Sequence, residues 1–321
     1  MTISKKERRE MRKYAIGADI GGSHISCAII DLDSKNLVEG TFASEVVNNK
    51  AEATDILDSW AAAINQSLAH ITAKELAGIG FAMPGPFDYE KGIALFTSQN
   101  DKFEKLHGIN VVDELRKRLK IDSQSGIRFM NDATAFAVGE DWFGMGKAYT
   151  RTLSITLGTG FGSAFIANGI PVVEGNEVPE MGCVWHLPYK DDIADAYFST
   201  RWCIKRYLEL SGVEVSGVKQ IADEAETKKI AKQVFIEFGN NLGELLAPWM
   251  NKFGAEALVI GGNISKAYRH FGESLEEALK ANGCSTEVHR SELMEDAAFI
   301  GSARLFDEDF WKHVQPLLSK M

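Results

Sequence analysis

A glycine-rich turn near the start of the chain carries groups that could bind a phosphate. Asp19 ends an apolar run, and Gly21, Gly22 and Ser23 follow it. Glycines allow a tight turn and leave backbone N–H groups open to an anion. A carboxylate repels a phosphate unless a cation lies between them, so we interpret Asp19 as lying near a nucleotide-bound Mg²⁺, with Ser23 and the turn amides on phosphate oxygens. The alternative is an ordinary hairpin turn after a strand that ends in Asp.

A second glycine turn repeats this arrangement in the middle of the chain. An apolar run to Leu157 is followed by Gly158, Thr159, Gly160 and Gly162, and then by a second apolar run. Both segments therefore read as strand, glycine turn with a hydroxyl, and strand, which is a weak internal repeat. Two such hairpins are suited to holding the two ends of a polyphosphate.

Asn131 and Asp132 lie between a predicted strand and a predicted helix. The helix dipole stabilises a carboxylate in the first turn by about 0.3–1 kcal/mol, which keeps it ionised. An ionised Asp can accept a proton from a substrate hydroxyl, a role that contributes roughly 10²–10⁴-fold to a rate. The alternative is a helix that simply begins with an N-cap Asn and an Asp.

A polar loop and a glycine pair provide weaker signals. Glu180 could present its carboxylate to sugar hydroxyls. Cys183 and His186 have the spacing of two metal ligands, but no further pair follows at suitable spacing, so packing roles are favoured over zinc. Gly261 and Gly262 end a predicted strand and could lie under an adenine or ribose, although two glycines alone say little.

Alternating strands and helices predict an α/β fold. The predicted strands are 14–20, 25–30, 78–83, 127–130, 152–157, 163–167, 257–260 and 286–289, and the predicted helices are 51–71, 111–119, 133–143, 193–210, 221–253 and 295–306. This order favours largely parallel, helix-covered sheets in which the first two strands are antiparallel. Ligands of such sheets bind at the carboxyl ends of strands, where Asp19, the Pro84-Gly85-Pro86 loop and Asn131 are placed.

Composition excludes several classes of protein. The 321 residues contain 45% hydrophobic residues and have a net charge of −10, which disfavours broad nucleic-acid binding. No apolar run approaches the ~18–20 residues of a membrane span, and no signal peptide is visible. The four cysteines, at positions 27, 183, 203 and 284, form no CxxC pair, so we expect a reducing, cytoplasmic environment.

The order of these motifs resembles the sugar kinases of the ROK family (repressors, open reading frames, kinases), in the actin-like, ribonuclease H-like ATPase superfamily. The resemblance extends from about residue 14 to residue 306. Its most specific pieces are residues 19–23, 130–133 and 157–162.

The resemblance implies a two-lobed α/β fold in which each lobe is a mixed sheet flanked by helices. The N-terminal lobe would comprise residues 1–130 and about 305–321, and the C-terminal lobe residues 131–304, with the active site in the cleft between them. A small-molecule sugar would be the partner, with no nucleic acid and no membrane, and a homo-dimer or tetramer is compatible with the family.

The resemblance also implies roles for individual residues. Asp132 would be the general base, and ATP with Mg²⁺ the phosphate donor, with Asp19 near the metal. The sugar would be bound by Asn131, Glu180, Asp195, Gly85 and Asn100. The nucleotide would be bound by Asp19, Gly21, Gly22, Ser23, Gly158, Thr159, Gly160, Gly162, Gly261 and Gly262.

The sequence departs from the family pattern around Glu180. The usual Glu-x-Gly-His ends in Cys183, and the cysteine-rich zinc loop of the form CxCGxxGCxE is absent. If residues 195–199 match the segment after that loop, Asp195 replaces a sugar-binding glutamate. We therefore expect no structural zinc, and the identity of the sugar stays open.

Four functions share parts of this pattern. An ATP-dependent hexose or amino-sugar kinase is favoured, and a non-catalytic sugar-binding or regulatory ROK protein is the alternative. A repressor would need a DNA-reading domain before Tyr14, where only 13 residues stand. An actin- or chaperone-like ATPase would need a large insertion for which the chain has no room.

Overall fold

The computed structural model describes residues 12–100 and 102–321, which form two compact units. The first unit comprises the described residues up to Gly139 together with Glu295–Met321, and the second comprises Glu140–Met294. Each unit is built around one main β-sheet.

The strands pair within these two sheets and within two short hairpins. They are β1 (Tyr14–Ile20), β2 (His24–Asp31), β3 (Asn36–Leu37), β4 (Ala43–Val46), β5 (Leu76–Met83), β6 (Phe87–Asp88), β7 (Ile93–Ala94), β8 (Gly126–Asn131), β9 (Arg151–Leu157), β10 (Phe161–Ala167), β11 (Ile170–Pro171), β12 (Pro188–Tyr189), β13 (Asp192–Ile193), β14 (Ala257–Gly261) and β15 (Glu287–Arg290).

The α-helices of the described residues cover the sheets or follow their strands. They are α1 (Ala53–Leu68), α2 (Val111–Arg116), α3 (Asp132–Trp142), α4 (Ala194–Tyr197), α5 (Thr200–Ser211), α6 (Val218–Ala225), α7 (Lys229–Phe253), α8 (Tyr268–Ala281), α9 (Asp296–Ala303) and α10 (Glu308–Val314). No helix within residues 12–100 and 102–321 combines the length and apolar character needed to cross a membrane.

The sheet of the first unit has the order β3-β2-β1-β5-β8, with β4 also paired to β2. β1 and β2 are antiparallel, whereas β5 is parallel to β1 and β8 is parallel to β5. The predicted antiparallel start of a largely parallel sheet is confirmed. The carboxyl ends of β1, β5 and β8 consequently lie at one edge, which brings Asp19, Met83 and Asn131 to that edge.

The sheet of the second unit repeats this connectivity, with the order β11-β10-β9-β14-β15. β9 and β10 are antiparallel, and β14 and β15 continue the sheet in parallel. Each of the two glycine turns therefore joins the antiparallel pair at the centre of its own sheet. The internal repeat seen in the sequence extends to the topology of the whole sheet.

Two predicted helices are interrupted in the structure. The helix expected over 193–210 is divided into α4 and α5 because Ser199 has an extended backbone (φ −132°, ψ 165°). The helix expected over 221–253 is divided into α6 and α7 because Lys228 is likewise extended (φ −106°, ψ 116°). Apolar periodicity misses these breaks because helical segments on both sides bury residues in the same core, including Ile221 and Val234.

The boundaries of the two compact units lie after Gly139 and before Glu295. The reason is close packing of α9 within the first unit. A Cβ added at Gly17 of β1 would lie 1.7 Å from the carbonyl oxygen of Phe299, and one added at Gly301 would lie 1.8 Å from that of Ala135 in α3. Hydrogen atoms at these glycines let α9 contact both β1 and α3.

Candidate functional site

Asp19 lies near the carboxyl end of β1, next to Ser26 of β2 and Ala82 of β5 in the sheet. Burial of its carboxyl group raises its pKa, and the negative charges of Asp132 and Glu295 raise it further, to about 8, while Lys102 opposes the shift. The first unit thus brings Asp19 and Asp132 close enough for their charges to interact.

This pair of carboxylates fits a cation that arrives with a nucleotide. Mg²⁺ in phosphoryl-transfer sites is commonly bound by one or two carboxylates together with substrate phosphates. Within residues 12–100 and 102–321, no three His, Cys, Asp or Glu side chains form a group that could hold a metal. Asp19 and Asp132 supply the oxygen donors that Mg²⁺ prefers, and their mutual repulsion would be relieved by a bound cation.

The first glycine turn is held from two sides. Within the turn, the Gly21 N–H donates to the His24 carbonyl at 2.9 Å. From outside it, the N–H of Val47, which follows β4, donates to the Ser23 carbonyl at 2.8 Å. The side-chain amide of Asn49 donates to the Gly22 carbonyl. Gly22 and Ser23 themselves are exposed, so their amides and hydroxyl are accessible to a ligand. Asn49 was not predicted from the sequence, because no local pattern connects it to a residue 27 positions earlier.

Asn131 and Asp132 are held together by a small hydrogen-bond network. The Asn131 amide donates to Oδ1 of Asp132 at 3.1 Å and to the Tyr89 hydroxyl at 3.2 Å, and the Tyr89 hydroxyl donates to the Met83 carbonyl at 3.2 Å. The Asn131 Oδ1 accepts the Thr134 N–H at 3.1 Å, which caps α3. Tyr89 is buried and was not predicted from the sequence.

The two remaining predicted sugar residues of the first unit differ in their surroundings. A Cβ on Gly85 would lie 3.4 Å from the Tyr89 hydroxyl, so Gly85 lies beside the Asn131 network. The Asn100 side chain accepts hydrogen bonds from the Thr97 N–H at 2.7 Å and hydroxyl at 3.2 Å, closing its own loop. No hydrogen bond within the described part of the chain joins Asn100 to Asn131 or Asp132.

The second glycine turn is bound by the segment that contains Asp195 and Thr200. The Phe161 N–H donates to Oδ1 of Asp195 at 2.7 Å. The Thr200 N–H and hydroxyl both donate to the Gly158 carbonyl, at 2.8 and 3.0 Å. Thr159 and Gly160 are exposed at the tip of this turn, which leaves their backbone accessible to an anion.

Gly261 and Gly262 lie beside the strand that leads into this turn. Gly261 is paired with Thr156 at the end of β14. Gly262 has a positive φ of 78°, and a Cβ there would lie 2.4 Å from the Leu157 carbonyl oxygen. Only glycine fits this contact, so the structure brings the predicted adenosine segment and the second glycine turn together within the second unit.

Glu180 projects from a tight turn built on β10. Met181 and Gly182 both have φ near 60°, and a Cβ on Gly182 would lie 2.2 Å from the Val172 carbonyl oxygen. The Val184 N–H donates to the buried Ser163 hydroxyl at 2.8 Å, which fastens the turn to the sheet. Glu180 is exposed on this rigid support.

Cys183 lies three residues further on, with its Sγ 3.7 Å from Nδ1 of His186. Burial and the charge of Glu180 raise the pKa of the Cys183 thiol to about 12. The thiol is therefore protonated at neutral pH and lies against the imidazole of His186. This environment favours a packing role for Cys183 and His186.

The segment that stands in place of the family's cysteine-rich loop forms the β12–β13 hairpin. The Lys190 ammonium donates to Asn241 Oδ1 of α7 at 2.7 Å and lies 5.2 Å from the centroid of the Tyr189 ring. The Tyr189 hydroxyl donates to Glu244 at 3.1 Å. Polar and aromatic contacts therefore attach this hairpin to α7.

The sequence is similar to known proteins of one family over most of its length. The ROK family profile matches residues 15–309. A glucokinase from Thermotoga maritima is 28% identical over 91% of this chain and 97% of its own length, and an N-acetyl-D-glucosamine kinase from Mannheimia succiniciproducens is 24% identical over 90% and 98%.

The fold agrees with that of solved ROK structures. A ROK glucokinase from Streptomyces griseus, crystallised with glucose and AMPPNP, superposes with a TM-score of 0.70 at 21% identity, covering 91% of this chain and 98% of the other. The described architecture, in which each unit has one main sheet flanked by helices, agrees with the α/β fold expected from the sequence. With a family profile that covers most of its length, the chain belongs to the ROK family.

Proposed function

We propose that this protein is an ATP-dependent sugar kinase that transfers the γ-phosphate of ATP to a hydroxyl of a hexose or an amino sugar. The observation that carries this proposal is the position of Asp132, which is bound to Asn131 and lies at the same sheet edge as Asp19. The two relatives named above carry the names glucokinase and N-acetyl-D-glucosamine kinase, which supports the reaction class.

Asp132 acts as the general base in this proposal. Its carboxylate accepts the proton of the sugar hydroxyl as the oxygen forms a bond to the γ-phosphorus, and the bond from that phosphorus to the bridging oxygen of ADP breaks. Phosphoryl transfer depends mostly on positioning and charge stabilisation. The bond from Asn131 and the start of α3 supply the positioning of the base.

The sugar is bound by Asn131, Glu180, Gly85 and Asn100 in this proposal. Asn131 and Gly85 share contacts with Tyr89, and Glu180 offers an exposed carboxylate that can accept hydrogen bonds from two hydroxyls. Asp195 is assigned instead to the second glycine turn, because its two carboxylate oxygens accept hydrogen bonds from the Phe161 N–H and from Arg201.

The nucleotide is bound by both glycine turns. Backbone amides of Gly21, Gly22 and Ser23 and of Gly158, Thr159, Gly160 and Gly162 contact the phosphates, and Gly261 with Gly262 contacts the adenosine. Asp19, with Asp132 nearby, would hold Mg²⁺. When bound, Mg²⁺ offsets the negative charge of the phosphates.

A second candidate is a sugar-binding ROK protein without turnover. It is favoured by Cys183, which stands where the family pattern has a sugar-contacting histidine. The four cysteines are free, which supports the proposal that the protein works in the reducing cytoplasm. Assembly into a homo-dimer or tetramer stays a prediction.

Coupled ADP production across a panel of hexoses, N-acetyl-hexosamines and related sugars tests the kinase proposal. At least one sugar should produce ADP in proportion to sugar phosphate, and Asp132→Asn should abolish that signal. If sugars raise the melting temperature of the protein but none yields ADP, the non-catalytic candidate is correct.

A further inference from the structure

Both carboxylate oxygens of Asp195 accept hydrogen bonds within the second unit. Its Oδ1 accepts the Phe161 N–H at 2.7 Å, and its Oδ2 lies 2.8 Å from a guanidinium nitrogen of Arg201. A Cβ added to Gly160 would lie only 3.0 Å from Oδ1 of Asp195. The carboxylate is therefore in direct contact with the second glycine turn.

A carboxylate at this place has an electrostatic consequence. The turn is expected to bind the phosphates of a nucleotide, and an uncompensated negative charge beside it would repel them. Arg201 is the cation that compensates Asp195. Without Arg201, the charge of the carboxylate that shapes the turn would weaken the affinity of the turn for an anion.

The guanidinium of Arg201 has N–H donors that Asp195 does not use. Its side chain is 64% exposed, and a guanidinium carries five N–H donors in a planar fork that matches the geometry of a phosphate. It lies in the first turn of α5, and the preceding residue, Thr200, fixes the start of this helix to the Gly158 carbonyl through two hydrogen bonds. The position of Arg201 relative to the turn is therefore set by the backbone.

From these contacts we propose that Asp195 and Arg201 belong to the nucleotide side of the site. Asp195 is a positioning residue that holds the second glycine turn, and Arg201 donates hydrogen bonds to a phosphate of the nucleotide. This inference rests on the proposed kinase function, which it deepens by adding a cation to the phosphate contacts that the two glycine turns supply.

The test measures nucleotide affinity without sugar, by displacement of a fluorescent N-methylanthraniloyl derivative of ATP in the presence of Mg²⁺. Loss of a charge-assisted hydrogen bond should weaken ATP binding by about 10- to 100-fold in Arg201→Ala, with Arg201→Lys in between. Adenosine, which lacks phosphate, should compete equally with wild type and variant. Lys205→Ala is the matched control, because Lys205 lies one turn further along α5, is 78% exposed and pairs with Glu209.

Asp195 variants separate the two possible roles of that residue. Asp195→Asn keeps an oxygen that can accept the Phe161 N–H, so it should retain more affinity for ATP than Asp195→Ala. In Asp195→Ala, the KM for ATP should rise while the KM for sugar stays within about twofold of the wild-type value. A rise in the KM for sugar alone would return Asp195 to the sugar site and overturn its assignment.

The outcomes also separate this inference from the proposed function. Unchanged ATP affinity in Arg201→Ala, with sugar phosphorylation by the wild type, overturns the inference alone. Weakened ATP affinity in Arg201→Ala, with no phosphorylation of any sugar by the wild type, overturns the kinase function and leaves the inference intact. A wild-type protein that binds no nucleotide contradicts both.

Discussion

The side-chain amide of Asn131 donates a hydrogen bond to Oδ1 of Asp132 across 3.1 Å. The same oxygen accepts the Ala133 N–H at 2.8 Å, so two donors fix one side of the carboxylate. No donor in residues 12–100 or 102–321 binds the other oxygen, Oδ2. A carboxylate anchored through one oxygen keeps the second available as a proton acceptor, which is what the proposed general base requires.

Replacing Asp132 with Asn should abolish most sugar-dependent turnover. The amide cannot accept the hydroxyl proton, so we expect kcat to fall by about 10²- to 10⁴-fold. Nucleotide affinity should change far less. Steady-state kinetics and displacement of the fluorescent ATP derivative measure the two quantities separately.

Asp113→Asn is the matched control for this prediction. Asp113 also lies in the first turn of a helix, where its N–H donates to the N-cap Asn110, but it is exposed and has no proposed role. Its variant should retain full activity. An Asp132→Asn enzyme with more than about a tenth of the wild-type rate would show that another group accepts the proton.

Tyr89→Phe should impair catalysis without unfolding the protein. The change removes the hydroxyl that accepts from Asn131 and donates to the Met83 carbonyl, which should cost about 0.5–1.5 kcal/mol of stability. Because Asn131 then loses one of its anchors, we expect kcat/KM for sugar to fall several-fold while the KM for ATP is unchanged. Equal changes in both KM values would show that the network does not act on the sugar.

The sequence allowed prediction of the groups whose signal is local. Asp19, Asp132 and both glycine turns could be proposed as site residues because strand, turn and helix-start residues follow each other directly in the chain. Tyr89 and Asn49 could not, because their roles depend on hydrogen bonds to residues 42 and 27 positions away. Such contacts depend on strand order, which local periodicity does not specify.

The stability of the ligand-free protein should depend on pH through Asp19. Its pKa is raised from 3.8 to about 8 in the folded state, so between these values the folded state binds more protons than the unfolded state. The wild-type free energy of unfolding should therefore fall as pH rises through this range, by at most about 1.4 kcal/mol per pH unit. The Asp19→Asn side chain cannot ionise, so the free energy of unfolding of this variant should not show this fall with pH.

Urea unfolding at pH 5 and pH 8 checks this prediction. The gain in stability of Asp19→Asn over wild type should be larger at pH 8 than at pH 5. Asp33→Asn, at an exposed position after β2, serves as the control and should show no such difference. A gain for Asp19→Asn that is equal at both pH values would show that the burial of Asp19 is not electrostatically costly.

Gly17→Ala should strongly destabilise the first unit. The added methyl would lie 1.7 Å from the Phe299 carbonyl oxygen, and the only relief is to move α9 away from β1. Overpacking of this kind typically costs about 1–3 kcal/mol, and backbone contacts lie at the upper end. Thermal unfolding should show a lower transition for Gly17→Ala and little change for Gly217→Ala, where a Cβ would meet nothing within 4 Å.

Cys183→His should change how the enzyme discriminates between sugars. The thiol has a pKa of about 12, so at neutral pH it offers only a weak hydrogen-bond donor next to Glu180. An imidazole donates and accepts more strongly, and a site that reads hydroxyls by hydrogen bonds discriminates sharply among substrates. We expect kcat/KM to rise by about tenfold for the sugars whose hydroxyl meets the new group, and to change little for the others.

Cys183→Ser, which keeps the size of the side chain, should preserve the wild-type order of substrates. If Cys183→His also preserves that order across the panel, position 183 does not contact the sugar, and the selectivity must come from the other proposed sugar residues.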